Sequence, residues 1–86
     1  MRQFDYIVTD PSGLYADPAV LLGKKVREFS DTVVTVSKGG NSAPATKLMA
    51  LIGLGVKCGD LITISVEGGD EEKAAAVMEE YMVQIL

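Results

Sequence analysis

The chain predicts an α+β open-faced sandwich, with helices packed on one face of an antiparallel sheet. Three observations carry that reading. Segments of strand-like alternation interleave with segments of helical spacing, in the order strand, helix, strand, strand, short helix, strand, helix. The 86 residues, 48% apolar and 23% charged, suffice for one modest core and one domain over residues 1–86. The apolar runs are only a few residues long, so no segment spans a membrane, and two layers around one core is the economical solution.

Phe4 to Thr9 opens as a strand, with Phe4, Tyr6 and Val8 on one face and Asp5, Ile7 and Thr9 on the other. Pro11-Ser12-Gly13 breaks it. Pro18 suits the first helical position, where a missing N–H costs nothing. Ala19, Leu22, Val26 and Phe29 then share an inner face, and Val20, Lys24 and Arg27 form the opposite stripe. Thr32 to Ser37 is β-branched and alternates, with Thr32, Val34 and Val36 on one side. Gly39-Gly40 turns it into a short strand near Asn41 to Ala43. A short helix is expected over Thr46 to Leu54, capped by Thr46, with Leu51 and Leu54 inward. Leu61 to Val66 is the third clear strand, with Ile62, Ile64 and Val66 on one face. Asp70 caps the last helix, Glu71 and Glu72 complement its dipole, and Ala74, Val77, Met78, Tyr81 and Ile85 line its inner face.

Composition narrows the chemistry. There is no histidine, which removes the commonest general base and the commonest metal ligand. The single cysteine, Cys58, has no internal disulfide partner, and the first residues lack the apolar core of a signal peptide, so a reducing, cytoplasmic setting is expected. The net charge of −4 disfavours non-specific nucleic-acid binding. Ser12, Ser30 and Thr32 have no base near them in sequence, no carboxylates show metal-loop spacing, and the glycines match no phosphate-cradling pattern. Neither an enzyme nor a cofactor or metal site is expected. Glu71, Glu72, Glu79 and Glu80 read as a solvated helix face.

The segment Asp10-Pro11-Ser12-Gly13-Leu14-Tyr15-Ala16-Asp17-Pro18-Ala19 resembles the active-site loop of the HPr family, the histidine-containing phosphocarriers of the bacterial phosphoenolpyruvate-dependent sugar phosphotransferase system. Val34-Thr35-Val36 before a glycine turn, Leu54-Gly55, Gly59-Asp60, Ile62-Thr63-Ile64-Ser65, Glu67-Gly68 and Asp70-Glu71 extend the resemblance over nearly the whole chain. It implies a four-stranded sheet of order 1-4-2-3 with three helices on one face.

The family pattern is glycine, leucine or isoleucine, histidine, any residue, arginine, proline. The histidine takes the phosphoryl group, and the arginine and the following helix N-terminus hold it. Against that pattern Tyr15 stands at the histidine position and Asp17 at the arginine position. A phenol offers no ring nitrogen, and a tyrosine phosphate ester is a poorer phosphoryl donor than phosphohistidine. Asp17 places a negative charge where the incoming dianion needs a positive one; like unit charges about 4 Å apart repel by about 1 kcal/mol in water and more when shielded. The resemblance therefore implies a divergent member without the phosphohistidine chemistry, while the family label itself implies a phosphocarrier. Asp17 also reads simply as an N-cap, and Tyr15 as an exposed ring.

The family docks its partners on an apolar patch rimmed by basic residues from the first and second helices. Val20, Lys24, Arg27, Leu48 and Met49 fall there by alignment, which implies protein partners, either phosphotransferase-system enzymes or a regulator. A regulatory serine of the family falls near Lys47 or Thr46, depending on the place of one extra residue between Ser37 and Leu48, so Thr46 is a candidate for phosphorylation. The family includes a paralogue without the active-site histidine that acts by protein contact in catabolite repression and keeps that serine.

Overall fold

Four strands, β1 (Arg2–Ile7), β2 (Val33–Lys38), β3 (Asn41–Pro44) and β4 (Leu61–Glu67), form one sheet in the computed structural model, which describes residues 1–86. The order is β1-β4-β2-β3 and every pair is antiparallel. The register sets Tyr6 opposite Ile62 and Val36 opposite Ile64. Period-two alternation therefore delivers Val34, Val36, Ile62, Ile64 and Val66 to one face, where all are buried. The other face, with Ile7, Val33 and Leu61, is open to solvent.

Three helices close the covered face: α1 (Ala16–Val26), α2 (Leu48–Gly53) and α3 (Glu71–Ile85). α3 packs on β1 and β4, and α1 lies against both α2 and α3. Leu22 and Val26 of α1, Leu51 of α2, and Ala74, Met78 and Met82 of α3 join the strand residues in one apolar core. The β2–β3 hairpin turns on Gly39-Gly40 between the paired Lys38 and Asn41, with Gly39 at φ 59°. A positive φ at the first loop residue matches the right-handed twist of the two strands.

Several boundaries move from their expected places. α1 begins at Ala16, with Tyr15 as its N-cap and no side-chain cap bond. Asp17 is thus the second helical residue and not the cap, and Pro18 is the third and not the first. The first-turn N–H groups have no intrahelical acceptor, so proline is tolerated anywhere in that turn. α2 begins at Leu48 with Lys47 as its N-cap, so Thr46 is not a cap either. The inner stripe of α3 runs through Ala74, Met78 and Met82, while Val77, Tyr81 and Ile85 lie at its half-buried margin. Phe29 and Thr32 are half-buried at the edge of the core. Asp70 does cap α3, accepting from the Lys73 N–H at 3.2 Å. Glu71 leaves the solvated face: its carboxylate accepts the Gly68 N–H at 2.7 Å and meets the Met1 ammonium at 2.8 Å.

Candidate functional site

The loop between β1 and α1 is shaped from both ends. Asp10 accepts the Ser12 N–H on its carboxylate at 2.8 Å and the Gly13 N–H on its carbonyl at 2.9 Å, which closes a tight turn. Gly13 sits at φ 67°, and a Cβ there would collide with the Val56 carbonyl oxygen. Leu14 is buried and donates its N–H to that same oxygen at 3.1 Å. Anchored by Leu14, the chain presents Tyr15 to solvent with 41% of the residue exposed. The Tyr15 carbonyl accepts the Ala19 N–H at 3.1 Å and starts α1. Ala16 and Asp17 follow, both exposed, at the end of the helix where the dipole favours a carboxylate.

The segment Gly55 to Asp60 forms the platform under this loop. Besides the Val56 contact, the Gly59 N–H donates to the Val8 carbonyl at 2.8 Å, and the Val8 N–H donates to the Asp60 carbonyl at 3.0 Å. The Asp60 carboxylate accepts the Lys57 N–H at 2.8 Å and pairs with the Lys38 ammonium at 2.8 Å. Those two bonds to its charged form hold the Asp60 carboxyl below the usual aspartate value, the Lys38 bond being the larger cause. Glu71 is likewise lowered, first by the Met1 ammonium and then by the Gly68 N–H. Lys38, Val56 and Asp60 are not among the site residues the sequence leads one to expect. Their signal, two glycines flanking a Val-Lys-Cys segment and an Asp directly before a strand, is legible only once the fold brings that segment under Gly13.

A second feature lies beside the helix start. Val20 and Lys24 of α1 and Arg27, its C-cap, face Thr46 and Leu48 across a shallow groove of about 160 Å³, floored by Ala19, Gly23 and Ala45. The Arg27 guanidinium folds back over Gly23 and donates to the Thr46 carbonyl at 3.1 Å. Val20, Leu48 and Met49 are exposed, Met49 at 76%. The groove is smaller than the 300 Å³ or more of an ordinary small-molecule pocket. The fold thus gathers four of the expected docking residues, Val20, Lys24, Arg27 and Leu48, around one groove, with Met49 following Leu48 on α2. Tyr15 and Asp17 stand at the N-terminal end of the same helix and do not line it.

No group of three or more His, Cys, Asp or Glu side chains is arranged to hold a metal ion. Cys58 is exposed, with its Sγ 3.6 Å from the Thr9 carbonyl.

The family model for the phosphotransferase-system HPr component phosphorylation site matches residues 2–84. The chain belongs to the HPr family. It is 34% identical over 87 residues to the phosphocarrier protein HPr of Mycoplasma pneumoniae, covering 96% of this chain and 99% of that one. It is 36% identical over 85 residues to the HPr of Buchnera aphidicola subsp. Baizongia pistaciae, covering 99% of each. Among solved structures, the histidine-containing phosphocarrier protein of Mycoplasma superposes with a TM-score of 0.89 at 29% identity, over 96% of this chain and 93% of the other. The Bacillus subtilis catabolite repression protein Crh superposes at 0.76 with 29% identity, over 100% and 98%. The sheet order and the three helices on one face are those of the HPr fold. No helix is long and apolar enough to cross a membrane.

Proposed function

We propose that this member of the HPr family does not carry phosphate on histidine and works by protein contact in or near the phosphotransferase system. One observation carries the reading: no residue of the chain is a histidine. A phosphoramidate on an imidazole nitrogen cannot form without an imidazole. The place where the family pattern expects the phosphate is the start of α1, and there the side chains are a phenol and a carboxylate, Tyr15 and Asp17. Two free N–H groups, those of Ala16 and Asp17, would favour an anion, but the Asp17 carboxylate already supplies one.

What the chain keeps is a surface. Val20, Leu48 and Met49 form an exposed apolar centre, and Lys24 and Arg27 rim it, on a molecule whose overall charge is −4. A basic rim around an apolar centre suits an acidic protein surface, with the apolar contact supplying affinity and the charges register. The same surface can serve regulation as well as relay. Of the structural neighbours, Crh is described as a catabolite repression protein, and the role proposed here is of that class. Thr46, exposed at the rim, is the hydroxyl through which a modifying enzyme would reach this surface. The setting proposed is cytoplasmic, with the whole chain acting as one HPr-like module and no catalysis of its own.

Incubation with phosphoenolpyruvate and the first enzyme of the phosphotransferase system, followed by intact-mass measurement, tests the proposal. The expected result is no added phosphate. An acid-labile phosphate on the wild-type chain would establish the phosphocarrier reading instead. Binding to that first enzyme, measured by calorimetry, should weaken in a Lys24→Glu, Met49→Asp double variant while the fold is retained.

A further inference from the structure

We infer that Lys38 and Asp60 form a clasp that positions the loop bearing Tyr15, although neither side chain bonds to that loop. The inference goes beyond the proposed reading: it concerns what holds the loop where the family pattern expects the phosphate.

The platform from Gly55 to Asp60 has no regular structure, and both Gly55 (φ 68°) and Gly59 (φ 90°) have positive φ. A Gly-rich segment of this kind costs more conformational entropy to order than one of ordinary residues. It is nevertheless the surface on which the loop is seated. Val56 supplies the oxygen that accepts the Leu14 N–H, and it lies so close to Gly13 that no side chain fits between them. Any shift of Val56 shifts Leu14 with it, and Tyr15 is the next residue.

Inside the platform, the Asp60 carboxylate accepts the Lys57 N–H and the Asp60 N–H donates to the Lys57 carbonyl, which closes a short turn. One side chain from outside the segment bonds to it. Lys38, the last residue of β2, donates at 2.8 Å to the Gly55 carbonyl and pairs at 2.8 Å with Asp60. A single ammonium thus ties the first and last residues of the platform to each other and to the sheet. β2 is a central strand of the sheet, hydrogen-bonded on both sides, so the tie has a rigid base. The charged groups facing Asp60 are Lys38 from β2 and Lys57 from the platform itself. Isolated surface ion pairs contribute little. This one differs in that the ammonium makes two bonds and each closes the same segment, so its loss frees a loop and not just two side chains.

The test is native-state amide exchange on the full chain, read residue by residue by NMR, with the sheet amides as internal control. In Lys38→Met, protection of the Leu14 and Gly59 amides should fall by about threefold or more, while the amides of Ile64 and Val36 at the sheet centre stay within about twofold. Lys38→Arg should restore Leu14 protection, because a guanidinium can also bridge the two acceptors. In the wild type, Leu14 protection should drop in acid by more than that of the sheet amides as Asp60 takes up a proton, and in Asp60→Asn that excess should vanish. An unchanged Leu14 amide in Lys38→Met overturns the clasp. So does a loss shared equally by the sheet, which would mean general destabilisation, or an acid loss at Leu14 in excess of the sheet amides that survives in Asp60→Asn. Absence of phosphate on the wild-type chain and partner affinity are read in separate experiments, so failure of the clasp and failure of the protein-contact reading remain distinguishable.

Discussion

Replacement of Gly13 by alanine probes the seat of the Tyr15 loop directly. Gly13 is at φ 67°, a conformation that costs an L-residue about 1–2 kcal/mol. A Cβ there would also overlap the Val56 carbonyl oxygen and lie 2.8 Å from the Lys57 Cα. Both neighbours are backbone, so neither can swing aside by a rotamer change, and relief requires the platform to move. Overpacking of this kind costs about 1–3 kcal/mol, which brings the whole effect to about 2–5 kcal/mol. Gly39→Ala is the matched control. Its φ of 59° carries the same backbone penalty, but nothing lies within 4 Å of its Cβ. It should cost only the backbone share, about 1–2 kcal/mol. Urea unfolding followed by circular dichroism measures both, and for a chain of this size 1 kcal/mol moves the melting temperature by about 4–8 °C. Equal losses in the two variants would refute the collision with Val56 and leave only the backbone term. In Gly13→Ala the Leu14 amide should also lose protection beyond what the fall in global stability explains.

The remaining expectations concern the helix start and acid. Tyr15→His with Asp17→Arg should restore measurable, acid-labile phosphorylation by phosphoenolpyruvate and the first enzyme, and Tyr15→His alone should give much less; equal rates would remove the repulsive role assigned to Asp17. Because Asp17 is the second helical residue and not the cap, Asp17→Ala should lower stability by only about 0.3–1 kcal/mol in low salt, the share of a dipole interaction, and added salt should shrink the difference; a larger loss that salt does not touch would point to a bonded role. If Asp17 also serves a partner as a fixed anion, Asp17→Asn should leave unfolding nearly unchanged and weaken binding measured by calorimetry. Asp60 has its carboxyl lowered in the folded state, so its contribution is present above the unfolded value and is lost as pH falls through the lower folded one. Stability measured against pH should therefore decline below about pH 4, and Asp60→Asn should flatten part of that decline.

Much of this architecture is written in local pattern. Alternation along Phe4 to Val8, Val34 to Val36 and Ile62 to Val66 states which face of each strand is buried, because a pleated strand offers only two faces. The 3.6-residue spacing of Ala19, Leu22 and Val26 does the same for α1, and Asp70 announces the start of α3 by bonding to an N–H three residues away. The absence of histidine, which bears most on function, needs no structure at all. Other features depend on what each segment meets. Met82 rather than Val77 or Tyr81 completes the buried stripe of α3 because the neighbouring sheet and α1 fix the rotation of the helix, and several stripes of that sequence are apolar enough to serve. Asp17 and Thr46 are good capping residues in the wrong places: Leu14 is drawn into the core and held by Val56, which forces α1 to begin at Ala16, and α2 begins after Lys47 as the chain leaves β3. Residues far apart in sequence meet only through the β1-β4-β2-β3 order. That order brings Lys38 at the end of β2 to Asp60 before β4, and sets the Gly55–Asp60 platform under Gly13. Such pairings cost loop-closure entropy and are decided by the whole core, so no window of local sequence contains them.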